Sequence, residues 1–341
     1  MAITIRQVAK EAGVSVGAVS KVLHGRGESI RVGQVSAQRI RDAASRLNYV
    51  PNAVARNLRS SKTGTVGVIF ENLSGFADGP LYSLYLLDGL AKAVFPRHYR
   101  LTILPELNRG DIIGSFADGQ LEGVVWCKLA RDPETLQLIH DCPIPIVALN
   151  ARSPEIPSEA VFVGCDNEGG IFQAVDHLVG LGHRHIAFLN ENTEHDTPDC
   201  EARREGFRTR MLYHGQPYGP ENELGWSWFM PEFSDWWDTH PKTTAIIGWS
   251  ERCAAQLLGC AKEKGVRVPQ ELSVVGFDST PYSEIVSPRL TSVSQPIIEM
   301  ARTAGETLMQ MIAGDRPETS AIVLPCGFDL RDSTCAPRTI C

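Results

Sequence analysis

Val14-Ser15-Val16-Gly17-Ala18-Val19-Ser20-Lys21-Val22-Leu23 reads as a short helix behind a serine cap. Ser15 stands at the N-cap position. Ala18, Val19, Val22 and Leu23 recur on one face, which leaves Val16, Gly17, Ser20 and Lys21 facing outward near the helix start. Just upstream, Thr4 caps a helix whose apolar residues are Ile5, Val8, Ala9 and Ala12. Gly13 supplies the left-handed residue that stops it and turns the chain. Two short helices around a tight turn have the spacing of a helix-turn-helix, whose second helix presents its first residues to base edges. An ordinary helical hairpin in a small core has the same spacing, so this stretch alone does not separate the two.

Charge separates them better. The 341-residue chain carries a net charge of −7, which taken whole argues against nucleic acid. Residues 1–62, however, hold eleven cations against three acids. That net +8 leaves −15 for the remainder. A basic end on an acidic body suits a protein that meets phosphates at one end only.

The flanking chain adds a third helical pattern, Gln34–Leu47, then Pro51-Asn52-Ala53-Val54-Ala55-Arg56-Asn57-Leu58-Arg59. With Thr4–Ser15 and Ala18–Leu23, this resembles the headpiece of the lactose/galactose-repressor (LacI/GalR) family. From Thr65 onward, short apolar runs alternate with longer helical patterns, the β-α-β signature of a parallel sheet. The runs are Thr65–Phe70, Leu101–Leu104, Gly123–Trp126, Pro145–Leu149, His185–Leu189, Ala245–Gly248 and Leu272–Gly276. The helical patterns are Leu81–Val94, Gly170–Leu181, Cys200–Tyr213 and Arg252–Lys264. Further stretches carry the resemblance through this region: Asp88-Gly89-Leu90, Leu121–Val125, Cys165–Gly169, Leu178–Phe188, Arg203–Phe207, Val268–Asp278 and Leu290–Val293. Each is weak alone; their order and spacing over nearly the whole chain are specific.

The resemblance implies an α-helical helix-turn-helix DNA-binding head plus an α/β two-lobed periplasmic-binding-protein-like core. The expected limits are 1–50 for the head, 51–64 for a hinge helix and linker, 65–335 for the core and 336–341 for a tail. Within the core, one lobe takes about 65–163 and 293–322, the other about 164–292 and 323–335. The chain departs from the family in five places. The loop from His24 to Val32 is about three residues longer, and Gly33 replaces a serine cap on the third helix. Pro96 falls in the last turn of the first core helix, which it shortens or kinks. Ser250-Glu251 and Asn150-Ala151 replace the usual polar pairs after two core strands.

The expected DNA-binding residues are Thr4, Ser15, Val16, Gly17, Ser20, Lys21, Arg26 and Arg31 in the head, and Asn52, Ala55 and Leu58 in the hinge. Lys21 is expected to donate to a guanine edge or phosphate and Val16 to touch a thymine methyl. Arg26 and Arg31 reach for the backbone. The hinge spans only about two turns, too short to be stable alone, so it is expected to fold on DNA. The family's pairing of hinge helices implies that Leu58 wedges between base pairs.

Open α/β sheets bind ligands beyond their C-terminal strand ends. The effector candidates there are Glu71, Asn72, Trp126 (with neighbouring Cys127), Asn150, Asn190, Trp249, Ser250 and Asp278, plus Arg203 at the head of a helix. In the family the arginine and the aspartate at these positions often hold the effector. Such a pair suits a polyhydroxylated sugar, with tryptophan for stacking; it also suits a plain salt bridge between lobes. The segment Gly215–His240, with Trp226, Trp228, Trp236 and Trp237, is unusually aromatic and leaves any particular sugar open.

These readings imply a homodimeric transcription regulator, most often a repressor in this family, that takes a double-stranded operator and a small sugar-like effector and needs no cofactor. Control by a partner protein, with a vestigial cleft, is the alternative; a pure sugar-binding or transport protein fits the basic head poorly. No nucleophile elbow, carboxylate pair or metal spacing suggests an enzyme, and the His183-x-His185 pair is better read as structural. No run of about 18 apolar residues predicts a membrane span, and no signal segment is evident. Nine scattered cysteines without a C-x-x-C suit a reducing cytoplasm. The short Ser333–Cys341 tail, with Pro337, favours a dimer over a tetramer.

Overall fold

The computed structural model describes residues 3–24, 31–49, 63–70, 82–104, 116, 118–127, 137, 139, 141–150, 160–191, 198–226 and 232–339. The chain divides into two compact units, residues 1–63 and 64–341.

The first unit is built from α1 (Ile5–Ala12), α2 (Val16–His24) and α3 (Gln34–Arg46). Its turns are fixed by local hydrogen bonds. Thr4 and Gln7 form a reciprocal capping box, the Gln7 amide oxygen accepting from the Thr4 N–H at 2.8 Å. Gly13 adopts φ +65°, and the N–H of Val14 bonds back to the Ala9 carbonyl at 3.0 Å. That left-handed turn is strained for a residue with a Cβ. The Ser15 hydroxyl accepts from the Ala18 N–H at 3.2 Å and starts α2. Gly33 has no side chain to cap α3, which begins without that bond. Val8, Ala9, Ala12, Val19, Ile40, Ala43 and Ala44 are buried together between the three helices.

The second unit holds two six-stranded sheets. The first contains β1 (Thr65–Phe70), β2 (Arg100–Leu104), β3 (Gly123–Cys127), β4 (Ile146–Leu149), β5 (Val161–Cys165) and, much later, β11 (Ala321–Leu324). The second contains β6 (Ile186–Glu191), β7 (Glu223–Trp226), β8 (Ala245–Gly248), β9 (Ser273–Asp278), β10 (Thr291–Ser294) and β12 (Gly327–Asp329). Their orders are 2-1-3-4-5-11 and 7-6-8-9-10-12. The pairing is parallel throughout except β10 against β12. Both sheets therefore follow one doubly wound plan, with the order reversing beside the first strand of each. The continuous apolar runs arise because parallel strands are covered on both faces.

Three crossings join the lobes. The chain leaves β5 through Asp166, which caps α5 (Asn167–Leu181) by accepting from the Gly169 N–H at 2.9 Å. It returns after β10 through Gln295 and Pro296 into α10 (Ile297–Ile312), and crosses again between β11 and β12. These strands end at Cys165, Ser294 and Leu324, within two residues of the approximate lobe limits expected from sequence.

In the first lobe, α10 packs against α4 (Tyr82–Val94) closely enough to exclude side chains: a Cβ on Gly89 would lie 2.3 Å from the Ile298 carbonyl oxygen. We therefore expect Gly89→Ala to cost the core about 1–3 kcal/mol by overpacking, despite alanine's better helix propensity. A lower urea midpoint at unchanged slope is the readout. Pro96 ends α4: the helix stops at Val94, a 3-10 turn covers Phe95–Arg97, and His98 turns at φ +62°. The second lobe is covered by α5, α6 (Pro198–Tyr213), α7 (Glu232–Thr239), α8 (Glu251–Lys264) and the short α9 (Tyr282–Ile285). Among the described residues no helix is long and apolar enough to cross a membrane.

Candidate nucleic-acid interface and effector cleft

In the head, the structure places the expected contact residues on the first turns of α2. Val19 is fully buried and Val22 and Leu23 pack beside it, which turns Val16 outward, 37% exposed. Gly17, Ser20 and Lys21 are half-buried in the same helix, and Arg31 is exposed ahead of α3. The side chains of Thr4 and Ser15 are engaged as caps, which orients the helices. Arg26, Asn52, Ala55 and Leu58 lie outside the described residues.

In the core, a single buried cation organises the site. Arg203, on α6, is 2% exposed. Its Nε donates to Asn167 Oδ1 at 2.7 Å and its Nη1 to the Trp249 carbonyl at 2.5 Å. Its guanidinium lies 3.6 Å from the centre of the Phe277 ring and its Nη1 3.6 Å from Asp278 Oδ1. Asn167 in turn donates to Asp199 Oδ1 at 3.1 Å. Burial works against the Arg203 charge, but the carboxylates of Asp278 and Asp199 outweigh it and hold its pKa above the ordinary value. Burial pushes the Asp199 carboxyl up to about 6 and raises Asp278, with Arg203 opposing both shifts. The first lobe contributes Tyr82, whose hydroxyl accepts from the Asn150 amide and whose pKa is raised by burial and by Asp278 across the cleft.

Three more polar groups stand at the C-terminal ends of the second sheet's strands. Asn190 Oδ1 belongs to the last residues of β6, Trp249 Nε1 follows β8, and both amide atoms of Gln295 follow β10. All are buried without a hydrogen-bond partner among the described residues. Buried polar atoms are normally satisfied, so a group of orphans at one end of a sheet is informative.

Sequence reading missed Asn167, Asp199, Tyr82, Phe277 and Gln295. Asp199 was visible in principle, four residues before Arg203 on one helix face. Tyr82 was not, since only the meeting of the lobes brings it there. Two expected residues take other places. Trp126 is 1% exposed and packs edge-on to Phe116 at 6.3 Å, with Leu121, Val124 and Ile146 in the first lobe's outer core, away from the Arg203 group. Ser250 is spent as the cap of α8, accepting from the Cys253 N–H at 3.4 Å. Glu71 and Asn72 lie outside the described residues. The aromatic Trp236 and Trp237 pack against the cluster between α8 and the second sheet, Trp236 stacked on His240 at 4.4 Å.

Glu251, which follows Ser250, supports the site from behind. It is fully buried. Its N–H donates to Asp278 Oδ2 at 3.4 Å, and its carboxylate accepts from the Ser283 N–H at 2.9 Å, from the Ser283 hydroxyl and from Thr280 at 2.5 Å. Burial pushes its pKa up to about 7 from 4.5, against those donors. The folded protein thus holds a proton that the unfolded chain has released, and the associated stability is lost as pH rises from about 4.5 through 7. We expect Glu251→Gln, which keeps the shape, to gain about 2–3 kcal/mol relative to the parent between pH 5 and pH 8. Paired urea melts at the two values check this difference.

His183 is occupied on both nitrogens, by Thr244 Oγ1 at 2.8 Å and the Cys335 carbonyl at 2.9 Å, a packing role. Among the described residues no group of three histidines, cysteines or carboxylates could hold a metal ion.

Comparison with known proteins agrees with this architecture. Residues 4–52 match the model of the bacterial regulatory proteins, lacI family, and residues 175–334 match the periplasmic binding protein-like domain. The chain is 30% identical to the HTH-type transcriptional regulator CelR of Thermobifida fusca over 97% of its own length and 98% of the relative's. It is 28% identical to catabolite control protein A of Priestia megaterium, over 98% and 100%. A solved CelR–cellobiose complex superposes with TM-score 0.72 at 25% identity, covering 97% of this chain and 99% of that one. A lac repressor dimer bound to operator shares the fold with TM-score 0.84 at 22% identity, over 98% and 100%. With helix-turn-helix head, paired doubly wound lobes and relatives matched end to end, this chain belongs to the lacI family of bacterial DNA-binding transcription regulators.

Proposed function

We propose that this regulator acts as a homodimer on a near-palindromic operator, most simply as a repressor, and that a small polyhydroxylated molecule of the sugar class in the inter-lobe cleft sets its grip. The observation that carries the effector half is the Arg203 cluster together with the unpartnered Asn190, Trp249 and Gln295 atoms at the strand ends. A ligand bearing several hydroxyls supplies donors and acceptors at once, which these groups lack. The solved CelR–cellobiose complex supports that class. The head's α2 face and the basic charge of residues 1–62 support the DNA half. Two heads related by two-fold symmetry would meet two half-sites, and effector would act through different affinity for two lobe settings.

Calorimetry of the purified protein against mono- and disaccharides, cellobiose included, tests the cleft. Saturable binding by at least one sugar, coupled to a change in affinity for a genomic operator fragment, is expected. Operator binding with no sugar response across the panel would reject the effector assignment and leave the DNA assignment standing.

A further inference from the structure

Two of the three crossings between the lobes run side by side. Cys165 ends β5 in register with Leu324 at the end of β11, and the Asp166 N–H donates to the Leu324 carbonyl at 2.8 Å. Cys326 lies two residues further on, in the link to β12, beside Cys165 and near enough to bear on its ionisation. Both are free thiols. The surroundings hold them there. Gln173 Nε2 donates to the Cys326 carbonyl at 3.1 Å, and a Cβ on Gly170 would sit 3.2 Å from Cys326 Cβ. Cys165 also reaches the ligand cluster: its sulfur is 3.5 Å from Asn167 Oδ1, the atom that accepts from Arg203. A lone buried cysteine is ordinary core. Two side by side, on neighbouring crossings, can be cross-linked by an oxidant.

We propose that Cys165 and Cys326 are a redox-modification site, joined into a reversible disulfide by a hydroperoxide, and that this bond ties two of the three crossings and holds the lobes in one setting. Cys326, partly exposed, is the first to react. Its sulfur attacks the O–O bond, a sulfenic acid forms, and the leaving oxygen departs with a proton as water or alcohol. Cys165 then attacks the sulfenyl sulfur. The S–S bond forms, the S–O bond breaks, and hydroxide leaves with the Cys165 proton as a second water. Two thiols lose two electrons and the peroxide gains them. Cys326 beside it and burial push the Cys165 thiol above its ordinary range, so it does not initiate, and it gives up its proton to the departing hydroxide as it attacks. Small thiols reverse the bond by exchange.

The test uses the full chain with hydrogen peroxide and needs no effector, so its failure leaves the cleft assignment untouched. After oxidation, non-reducing peptide mapping is expected to give one linked peptide pair carrying Cys165 and Cys326, lost on adding dithiothreitol. Amide exchange in 161–170 and 321–329 is expected to slow roughly tenfold or more in the linked form. Cys326→Ser and, separately, Cys326→Ala should lose both effects. Full alkylation of both cysteines after peroxide, accumulation of sulfinic acid at Cys326 without a link, or a link that leaves exchange unchanged would each overturn the inference.

Discussion

Replacing Arg203 with alanine is expected to weaken effector binding by roughly 30- to 1,000-fold, as loss of about 2–4 kcal/mol of charge-assisted hydrogen bonding implies. The side chain joins Asn167, the Trp249 carbonyl, Asp278 and the Phe277 face. Its removal also strands Asp278 and Asp199 without their buried cation. Breaking a buried pair at one partner costs about 3–5 kcal/mol, so the core melt should fall as well. Two further variants separate binding from folding. Arg203→Lys keeps the charge but loses the two-armed geometry; it should recover most of the stability and little of the affinity. Asn190→Ala removes an orphan that nothing among the described residues satisfies. It should leave the melt nearly unchanged and weaken the ligand about tenfold, one hydrogen bond's worth. Titration calorimetry with whichever sugar binds the parent, alongside urea melts, reads all three. Parent-like affinity in both Arg203 variants would reduce Arg203 to a strut between α6 and the strand ends.

The same residues explain why the head was easier to read than the cleft. Thr4, Gly13 and Ser15 act over three or four residues, so spacing alone located the caps, the turn and the outward face of α2. The seven strand runs named from sequence, which do not include β5, β10, β11 and β12, were equally plain, because a parallel strand buried on both faces spells an unbroken apolar word. That property hid Trp126. Val125 and Trp126 are both apolar and adjacent, and only the sheet's register decides which faces the large core and which the outer layer. The second sheet's edge was also unseen. Glu223–Trp226 and Glu232–Thr239 were legible as an aromatic patch but not as β7 and α7, since tryptophans that cover α8 look in sequence like tryptophans that stack on a ligand. Asp199, Asn167 and Tyr82 meet only after the crossings at Asp166 and Gln295 are made. Contacts of that kind are set by long-range topology, which local periodicity does not encode.

Gly17→Glu is expected to cost operator affinity at least about 100-fold, near 3 kcal/mol, while the head stays folded. Gly17 lies in the first turns of α2, between exposed Val16 and the half-buried Ser20 and Lys21. The buried face is carried by Val19 with Val22 and Leu23, so the new side chain points away from the core of the head. In the free protein glutamate should be tolerated. It is a better helix former than glycine by several tenths of a kcal/mol, and a negative charge near an N-terminus is favoured by the helix dipole. Against DNA the same two properties turn adverse: a longer side chain separates α2 from the groove, and its charge meets phosphates that Lys21 and Arg31 would otherwise neutralise. The variant should thus melt at or slightly above the parent temperature and bind poorly. Ser20→Ala, one turn on, should lose much less, about one hydrogen bond. A gel shift on the same fragment at two salt concentrations distinguishes the causes. Lost approach lowers affinity at both, whereas a purely electrostatic defect fades as salt screens it. A folded Gly17→Glu protein with unchanged affinity would mean that α2 does not face the groove, and the head would have to meet DNA through another surface.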